Sequence, residues 1–272
     1  VGSGINSSTP VLASADLTFK SLRASEEHVC GVTTSGQLWC WGSTADGTEI
    51  TAPHRIGTAS NWSGVAVRST GTCAYTVKTR LLPSATSCWG DRQTVGNGTP
   101  VYANTPKKLP GSGWLDVAAG GSSRCAIQGS TLPGRLYCWG GNSYGEVGDN
   151  TKAPRLSLYE VTTAGNWQDV EMGSGFTCGI SGAGSLWCWG SNLSGQLGLG
   201  DTLERLVPVQ VGDATDWTDL SMGGSSVCGV RGTTSLWCWG SDDNGQIGNG
   251  APSDIQDTPY EVVSVAGEHT WN

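Results

Sequence analysis

Short apolar stretches recur along the chain, and each is bounded by turn-forming residues. In the stretch Leu38-Trp39-Cys40-Trp41, the two-residue period of a β-strand places Leu38 and Cys40 on one face and Trp39 and Trp41 on the other. Both faces are therefore apolar, which is typical of a sheet packed between two other layers. No long apolar stripe with a 3.6-residue period is present, and glycine interrupts nearly every stretch. The pattern predicts an all-β chain of short strands.

Four strands are predicted in each unit of this pattern. The first has an aromatic residue followed three positions later by an aliphatic one, in Phe19-x-x-Leu22, Trp62-x-x-Val65, Trp114-x-x-Val117, Trp167-x-x-Val170 and Trp217-x-x-Leu220. The second contains the first cysteine of the unit, as in Cys30-Gly31-Val32, and the third ends in Cys-Trp-Gly. The fourth begins near a proline, as in Pro208–Val211, which suits an edge strand because proline lacks a ladder donor.

The unit repeats with a period close to 50 residues. Its second cysteines fall at positions 40, 88, 138, 188 and 238, so the intervals are 48, 50, 50 and 50 residues. A fixed period of this length is typical of repeat architectures, and four-stranded units stacked face to face form a β-propeller. The alternative is a β-sandwich with coincidental spacing.

We expect 1–272 to be a single propeller or part of a larger one. The predicted complete repeats are 17–60, 61–112, 113–165, 166–215 and 216–266, flanked by the end of a preceding repeat at 1–16 and the start of a further one at 267–272. Because the two partial units duplicate the same stretch, we expect the chain to be a piece of a longer array.

All 10 cysteines fall in pairs that flank a predicted hairpin. The pairs are Cys30 and Cys40, Cys73 and Cys88, Cys125 and Cys138, Cys178 and Cys188, and Cys228 and Cys238. Facing positions on adjacent antiparallel strands bring Cβ atoms within disulfide reach, so we predict one disulfide per blade and an oxidising compartment. Zinc binding and free buried thiols are the alternatives; zinc ligands usually lie two to four residues apart, whereas no pair here is closer than ten.

The net charge of −8 disfavours a nucleic-acid partner, because the chain repels phosphate backbones. No apolar segment approaches the roughly 20 residues of a membrane span, and no signal peptide is present as given. Four asparagines lie in Asn-x-Ser/Thr and are possible glycosylation sites: Asn6, Asn61, Asn97 and Asn192.

No group of residues predicts catalysis, and we expect no catalytic, cofactor-binding or metal-binding residues. His28 follows two glutamates but has no associated nucleophile, so we expect it in a surface turn. The stretch 242–244, Asp-Asp-Asn, is an isolated candidate calcium loop that lacks the full ligand spacing. The repeated tryptophans are expected in the core, with sugar stacking as the alternative.

The segment after each Cys-Trp-Gly carries a further motif. Residues 189–201 read Trp-Gly-Ser-Asn-Leu-Ser-Gly-Gln-Leu-Gly-Leu-Gly-Asp, and residues 239–250 and 139–148 are similar. This motif resembles the repeat of the regulator-of-chromosome-condensation family, whose members form propellers, typically seven-bladed. The founding nuclear members exchange guanine nucleotide on a small GTPase and dock on chromatin. Cysteine-bearing relatives include plant receptor-kinase ectodomains, and a bacterial member inhibits β-lactamases; these precedents imply a protein-binding surface.

Two repeats depart from the motif. The interval from Trp41 to Ile56 in the first repeat is 15 residues, against 22 for Trp189 to Val211, and the second repeat lengthens its hairpin around 80–83. Because function is often placed on variable loops, the rim over repeats one and two is the predicted contact surface. The sequence thus predicts a secreted or cell-surface, non-enzymatic module that binds a protein. The alternatives are a structural subunit of an extracellular filament, appendage or coat and, third, a guanine nucleotide exchange factor.

Overall fold

A computed structural model describes residues 12, 14–43, 48–68, 71–77, 84–91, 95–100, 102–250 and 255–263. These residues form twenty strands and contain no helix. The strands make five four-stranded antiparallel sheets, each built from strands that are consecutive in sequence, and each sheet is one blade. The predicted all-β propeller of four-stranded blades is therefore confirmed.

The first strands of successive blades contact one another and so lie on the inner side of the stack, and the fourth strand of each blade lies at the opposite edge of its sheet. Blade 1 comprises β1 (Phe19–Ala24), β2 (His28–Thr33), β3 (Leu38–Ser43) and β4 (Glu49–Arg55). Blade 2 comprises β5 (Trp62–Arg68), β6 (Gly71–Thr76), β7 (Thr86–Gly90) and β8 (Ala103–Lys108). Blade 3 comprises β9 (Trp114–Gly120), β10 (Ser123–Gln128), β11 (Arg135–Gly140) and β12 (Arg155–Val161). Blade 4 comprises β13 (Trp167–Met172), β14 (Phe176–Ser181), β15 (Leu186–Gly190) and β16 (Arg205–Gln210). Blade 5 comprises β17 (Trp217–Met222), β18 (Ser226–Arg231), β19 (Ser235–Ser241) and β20 (Ile255–Glu261).

Each blade thus lies within one of the repeats 17–60, 61–112, 113–165, 166–215 and 216–266. Of the partial unit predicted at 1–16 only residues 12 and 14–16 are described, and the one at 267–272 lies entirely outside the described residues.

The two cysteines of every blade face each other across the second and third strands. Cys178 pairs with Cys188 in the antiparallel register, and the other four pairs are placed identically. Their sulfur atoms are 2.08–2.17 Å apart, at bonding distance. One disulfide per blade, as predicted, joins the hairpin in the middle of each sheet.

Both faces of the third strand are packed, as the sequence pattern predicts. In β15, Leu186 and Cys188 lie in one core cluster with Trp217 of blade 5. Trp189, on the opposite face, lies in a second cluster with Trp167 and the core residues of blade 3. The hydrophobic core is therefore a series of layers between successive blades, and the tryptophans of Cys-Trp-Gly belong to it.

Blade 5 differs from the others in the exposure of one face. Leu236 on β19 is 41% exposed, whereas its equivalents Leu38, Leu136 and Leu186 are fully buried. On the other side of the stack, Leu22 on β1 is 48% exposed. No other described blade covers these two outer faces. The faces between successive blades, by contrast, are covered.

Candidate functional site: the junction between blades 1 and 2

The loop after the third strand fills the space between its own blade and the next. Val95, Val147 and Leu197 occupy equivalent positions in blades 2, 3 and 4, and all three side chains are fully buried. Leu197 lies in one cluster with Phe176, Cys188 and Val211 of its own blade and Trp239 of the next. We call this buried aliphatic residue the plug of the junction.

Hydrogen bonds fix the plugs Val147 and Leu197 to the next blade. The carbonyl oxygen of Glu146, just before Val147, accepts from Trp189 Nε1 at 2.9 Å. The carbonyl oxygen of Gln196, just before Leu197, accepts from Trp239 Nε1 at 3.0 Å. The Cys-Trp-Gly tryptophan therefore holds the backbone of the preceding blade's loop as well as packing in the core.

The first junction has an open groove in the place of the plug. Its volume is about 340 Å³, and the residues around it include Ile56, Trp89, Ala103 and Pro106. The strand registers give four pairs of matching positions between the groove and the surroundings of Leu197: His28 corresponds to Phe176, Cys40 to Cys188, Ile56 to Val211 and Trp89 to Trp239. The groove is thus the plug site of a repeat whose connecting loop is seven residues shorter.

Polar groups enter this groove from both blades. His28 Nε2 lies 2.7 Å from Thr72 Oγ1, and His28 Nδ1 lies 3.2 Å from Ser25 Oγ. Arg55 also lines the groove, and its buried Nε has no hydrogen-bond partner among the described residues. The site therefore combines an apolar wall with polar groups from both blades.

The position of His28 corrects the expectation of a surface turn. The imidazole is only 7% exposed because it lies between the first two blades, where it contacts Thr72. The adjacent glutamates suggested a solvated turn, but the two-residue period of β2 turns His28 inward while Glu27 faces solvent. Sequence reasoning missed this residue as part of a site.

A second group of titratable residues lies on the innermost strands. Burial, together with the charge of Asp116, raises the pKa of Asp169 to about 6. Burial, followed by the charges of Asp169 and Asp116, raises the pKa of Glu171 to about 7. Asp116 and Asp169 each accept the backbone N–H of the next residue, at 2.8 and 2.9 Å. These carboxylates share a desolvated, mutually repelling environment near the axis of the stack.

Within the described residues, no group of three or more His, Cys, Asp or Glu side chains is arranged to hold a metal ion. At the candidate calcium loop, Asp242 Oδ1 accepts the backbone N–H of Ile247 at 2.9 Å. Asn192 Oδ1 accepts the N–H of Leu197 in the same way in blade 4. Asp242 thus fixes its loop as Asn192 does in blade 4, and this hydrogen bond accounts for the position of its side chain.

The four glycosylation candidates have different surroundings. Asn6 lies outside the described residues. Asn61 is half-buried, and Asn97 is exposed with its Oδ1 accepting from the Thr99 hydroxyl at 2.6 Å. Asn192 is 1% exposed, and its Nδ2 donates to the carbonyl oxygens of Asp201 and Leu203. A glycan on Nδ2 would break this buried network, so glycosylation of Asn192, which stays a prediction, requires this loop to open.

The variable loops that define the predicted contact rim fall mostly on residues outside the description, at 44–47, 78–83 and 92–94. No described helix has the length and apolar character needed to cross a bilayer.

Comparisons with known proteins agree with this geometry. Family models described as the regulator of chromosome condensation (RCC1) repeat match residues 183–230 and residues 19–48 and 167–196. Prp20p from Saccharomyces cerevisiae is similar in structure with a TM-score of 0.78 at 16% identity, covering 92% of this chain and 64% of that one. Human WBSCR16 has a TM-score of 0.74 at 19% identity, with 89% and 66% covered. The CRINKLY WD40 ectodomain of the Arabidopsis thaliana receptor kinase ACR4 has a TM-score of 0.52 at 23% identity, with 92% and 70% covered.

The fold and its repeats define the chain as a disulfide-containing β-propeller. It is, in particular, an RCC1-like propeller, and this confirms the family resemblance seen in the sequence. The chain spans just under two thirds of the length of Prp20p and of WBSCR16. At these identities the structural similarity establishes the fold alone.

Proposed function

We propose that this chain is a secreted or cell-surface, non-enzymatic propeller that binds a partner protein at the rim over its first two blades. The observation that carries the proposal is the open plug site between blades 1 and 2, which belong to the two repeats whose sequences depart most from the motif. A preformed apolar cleft with a few polar groups is the usual form of a recognition site.

The disulfides support the proposed secreted or cell-surface location. Disulfides persist in secreted and surface proteins and are rare where glutathione keeps thiols reduced. Five blades, each with a bonded cysteine pair in its central hairpin, are compatible with an oxidising environment. The same bonds would hold the blades as a rigid support for the variable loops.

Structurally similar propellers support a role in protein binding. Prp20p is known for its binding properties toward Gsp1p and histones, and it has been crystallised with Kap60. The ACR4 ectodomain belongs to a receptor kinase. The net charge of −8 of the present chain favours a basic protein as a class of partner and makes nucleic acid unfavourable.

A structural role is the second candidate. The exposed Leu236 and Leu22 lie on the two blade faces that have no described neighbour, so a further copy packed there would bury apolar surface. This candidate predicts self-assembly of the purified chain, whereas the leading one predicts a foreign partner.

The two candidates are separated by one pair of measurements on the full chain. Protein secreted with its disulfides intact is immobilised and exposed to extracellular fluid of its source, and bound proteins are quantified against a reduced and alkylated control. Light scattering of the free chain gives its mass at micromolar concentration. One foreign protein bound near equimolar ratio by the intact chain only is the expected result. Self-association without a foreign partner would favour the structural role. Accumulation of the reduced chain in the cytosol would contradict the proposed secreted or cell-surface location.

A further inference from the structure

We propose that the groove between blades 1 and 2 binds an aliphatic–glycine segment of a partner protein, inserted as the chain's own plugs are inserted at its other junctions. This inference rests on the proposed protein-binding function and specifies the site and the chemistry of the partner.

The first argument is a matched pair of donors. At the junction of blades 3 and 4, the carbonyl oxygen of Glu146 accepts from Trp189 Nε1 at 2.9 Å and from Thr177 Oγ1 at 2.8 Å. Thr72 and Trp89 face each other in blade 2 in the same register as Thr177 and Trp189 in blade 4. The groove therefore presents the same two donor groups, and no described residue accepts a hydrogen bond from the Trp89 indole.

The second argument is the hydrogen-bonding state of Thr72. Its hydroxyl is 2.7 Å from His28 Nε2, and the other ring nitrogen is 3.2 Å from the Ser25 hydroxyl. The Ser25 hydroxyl also lies 3.2 Å from the His28 carbonyl oxygen, which can accept its proton. When it donates to Nδ1 instead, Nε2 carries the proton and donates to Thr72 Oγ1. In this arrangement the Thr72 hydroxyl proton, whose other described contact is the disulfide sulfur Cys30 Sγ at 4.0 Å, can turn to an incoming peptide carbonyl, as the Thr177 proton donates to Glu146.

The third argument explains why glycine follows the aliphatic residue. Gly148 and Gly198 have φ angles of +81° and +70°, which favour glycine. A Cβ on either would also lie 2.9 Å from the indole nitrogen of Trp189 or Trp239, respectively. Gly148 also lies against Pro208, and Gly198 against Pro259; each proline is on the fourth strand of the next blade. In the groove, Trp89 and Pro106 occupy the positions of the tryptophan and the proline. A segment that fills the groove in the same way needs glycine for the same reasons.

The fourth argument concerns what the chain itself supplies. Residues 44–47 of the first repeat read Thr-Ala-Asp-Gly and include no Leu, Ile or Val. A volume of about 340 Å³ is at the small end of ligand pockets, so it suits one short segment.

A peptide probe tests the site directly. The probe has the sequence of residues 191–200, which contains Gln-Leu-Gly, and the control peptide carries Leu197→Asp. Both are titrated into the full chain labelled with ¹⁵N at tryptophan, and the Trp89 indole resonance is assigned with the variant Trp89→Phe. A saturable shift of that resonance with the probe and none with the control is expected.

Two matched variants separate the groove from general stability. Thr72→Val removes one donor, and valine is accommodated at this strand position because Val227 occupies it in blade 5. Losing one hydrogen bond should weaken probe binding about three- to tenfold. Thr177→Val removes the same hydroxyl from a filled junction, so probe binding should not change. Equal weakening by both variants, equal binding of both peptides, or no saturable shift would each overturn the inference.

The outcome is distinguishable from failure of the proposed function. If a partner protein binds Thr72→Val and Trp89→Phe as tightly as the unmodified chain, the groove inference is overturned while protein binding stands. If the probe binds as expected but the chain captures no partner, the groove stands and the proposed function fails.

Discussion

Trp189 Nε1 donates to the carbonyl oxygen of Glu146 at 2.9 Å, although 43 residues separate the two in sequence. The bond crosses from one blade to the next and ends one residue before the buried Val147. Inter-blade packing and loop conformation are thus coupled through one indole. The same coupling recurs between Trp239 and Gln196 at 3.0 Å.

The two indole bonds are expected to differ in their contribution to stability. Glu146 O also accepts from Thr177 Oγ1, whereas Trp239 is the only described donor to Gln196 O. Trp189→Phe should therefore lower the free energy of unfolding by about 1 kcal/mol beyond the loss of ring volume, and Trp239→Phe by about 1–3 kcal/mol, because it leaves a buried carbonyl unpaired. Urea denaturation measures both, and the two substitutions serve as controls for each other. A larger cost at Trp189 would contradict this account.

The plug side chains are expected to carry much of the inter-blade packing energy. Leu197 is fully buried, so Leu197→Ala should cost about 2–5 kcal/mol through lost burial and the cavity left behind. Leu193 lies in the same loop but is 77% exposed, and Leu193→Ala should change stability by less than about 0.5 kcal/mol. Equal effects in urea denaturation would show that the loop is not a packing element.

Removing one disulfide tests how much the bond within a blade contributes to the free energy of unfolding. The double substitution Cys178→Ala with Cys188→Ala opens a loop whose ends are 10 residues apart. The expected loss is about 2–4 kcal/mol, because the unfolded chain regains the freedom that the bond removed. Peptide mapping without reduction should find five links, each within one blade. Links between different blades would contradict the structure.

The sequence predicted those parts of the fold that depend on local pattern. Trp39 and Cys40 alternate along one strand, and facing cysteines follow from a hairpin, so strands and disulfides need no knowledge of distant residues. The groove was missed because its walls come from two blades, with His28 and Thr72 separated by 44 residues. The short interval from Trp41 to Ile56 was the signal that could have revealed it, once the plug of the other repeats is known.

The axial carboxylates were also missed by sequence reasoning. The first strands of blades 3 and 4 each place an aspartate two residues after their tryptophan, at Asp116 and Asp169. The spacing is visible in the sequence, but the pKa shift arises only when burial and stacking bring these carboxylates within electrostatic range. Such effects depend on tertiary structure.

The axial carboxylates make stability depend on pH. Because the pKa of Glu171 is raised to about 7 in the folded chain, the folded state binds this proton more tightly than the unfolded state. The protonated Glu171 carboxyl group therefore makes its full contribution to the free energy of unfolding at pH 4. This contribution is lost as the pH rises through 7 and the group ionises. Asp169, with a pKa of about 6, acts in the same direction over a slightly lower range.

Glu171→Gln should accordingly raise the free energy of unfolding at pH 8, by about 1–3 kcal/mol, and leave it nearly unchanged at pH 4.5. Glu26, which is exposed, gives the matched control Glu26→Gln, for which no such pH-dependent gain is expected. Urea denaturation at pH 4.5, 6 and 8 distinguishes the two. A gain that is equal at all three values would reflect packing and would contradict the electrostatic explanation.

The glycosylation candidates are expected to separate by burial. Asn97 is exposed and Asn192 is buried with Nδ2 donating to backbone carbonyls, so only Asn97 of these two offers an amide that a glycan can occupy in the folded chain. In a eukaryotic secretory host, Asn97→Gln should remove one glycan from the intact mass. Asn192→Gln should leave the mass of attached glycan unchanged but lower the free energy of unfolding by about 1–3 kcal/mol, because it breaks a buried network. Glycan at Asn192 in correctly folded, disulfide-bonded protein would show that the loop around Leu197 is open in solution. The junction that Leu197 fills would then be open as well, which would contradict the comparison with the groove.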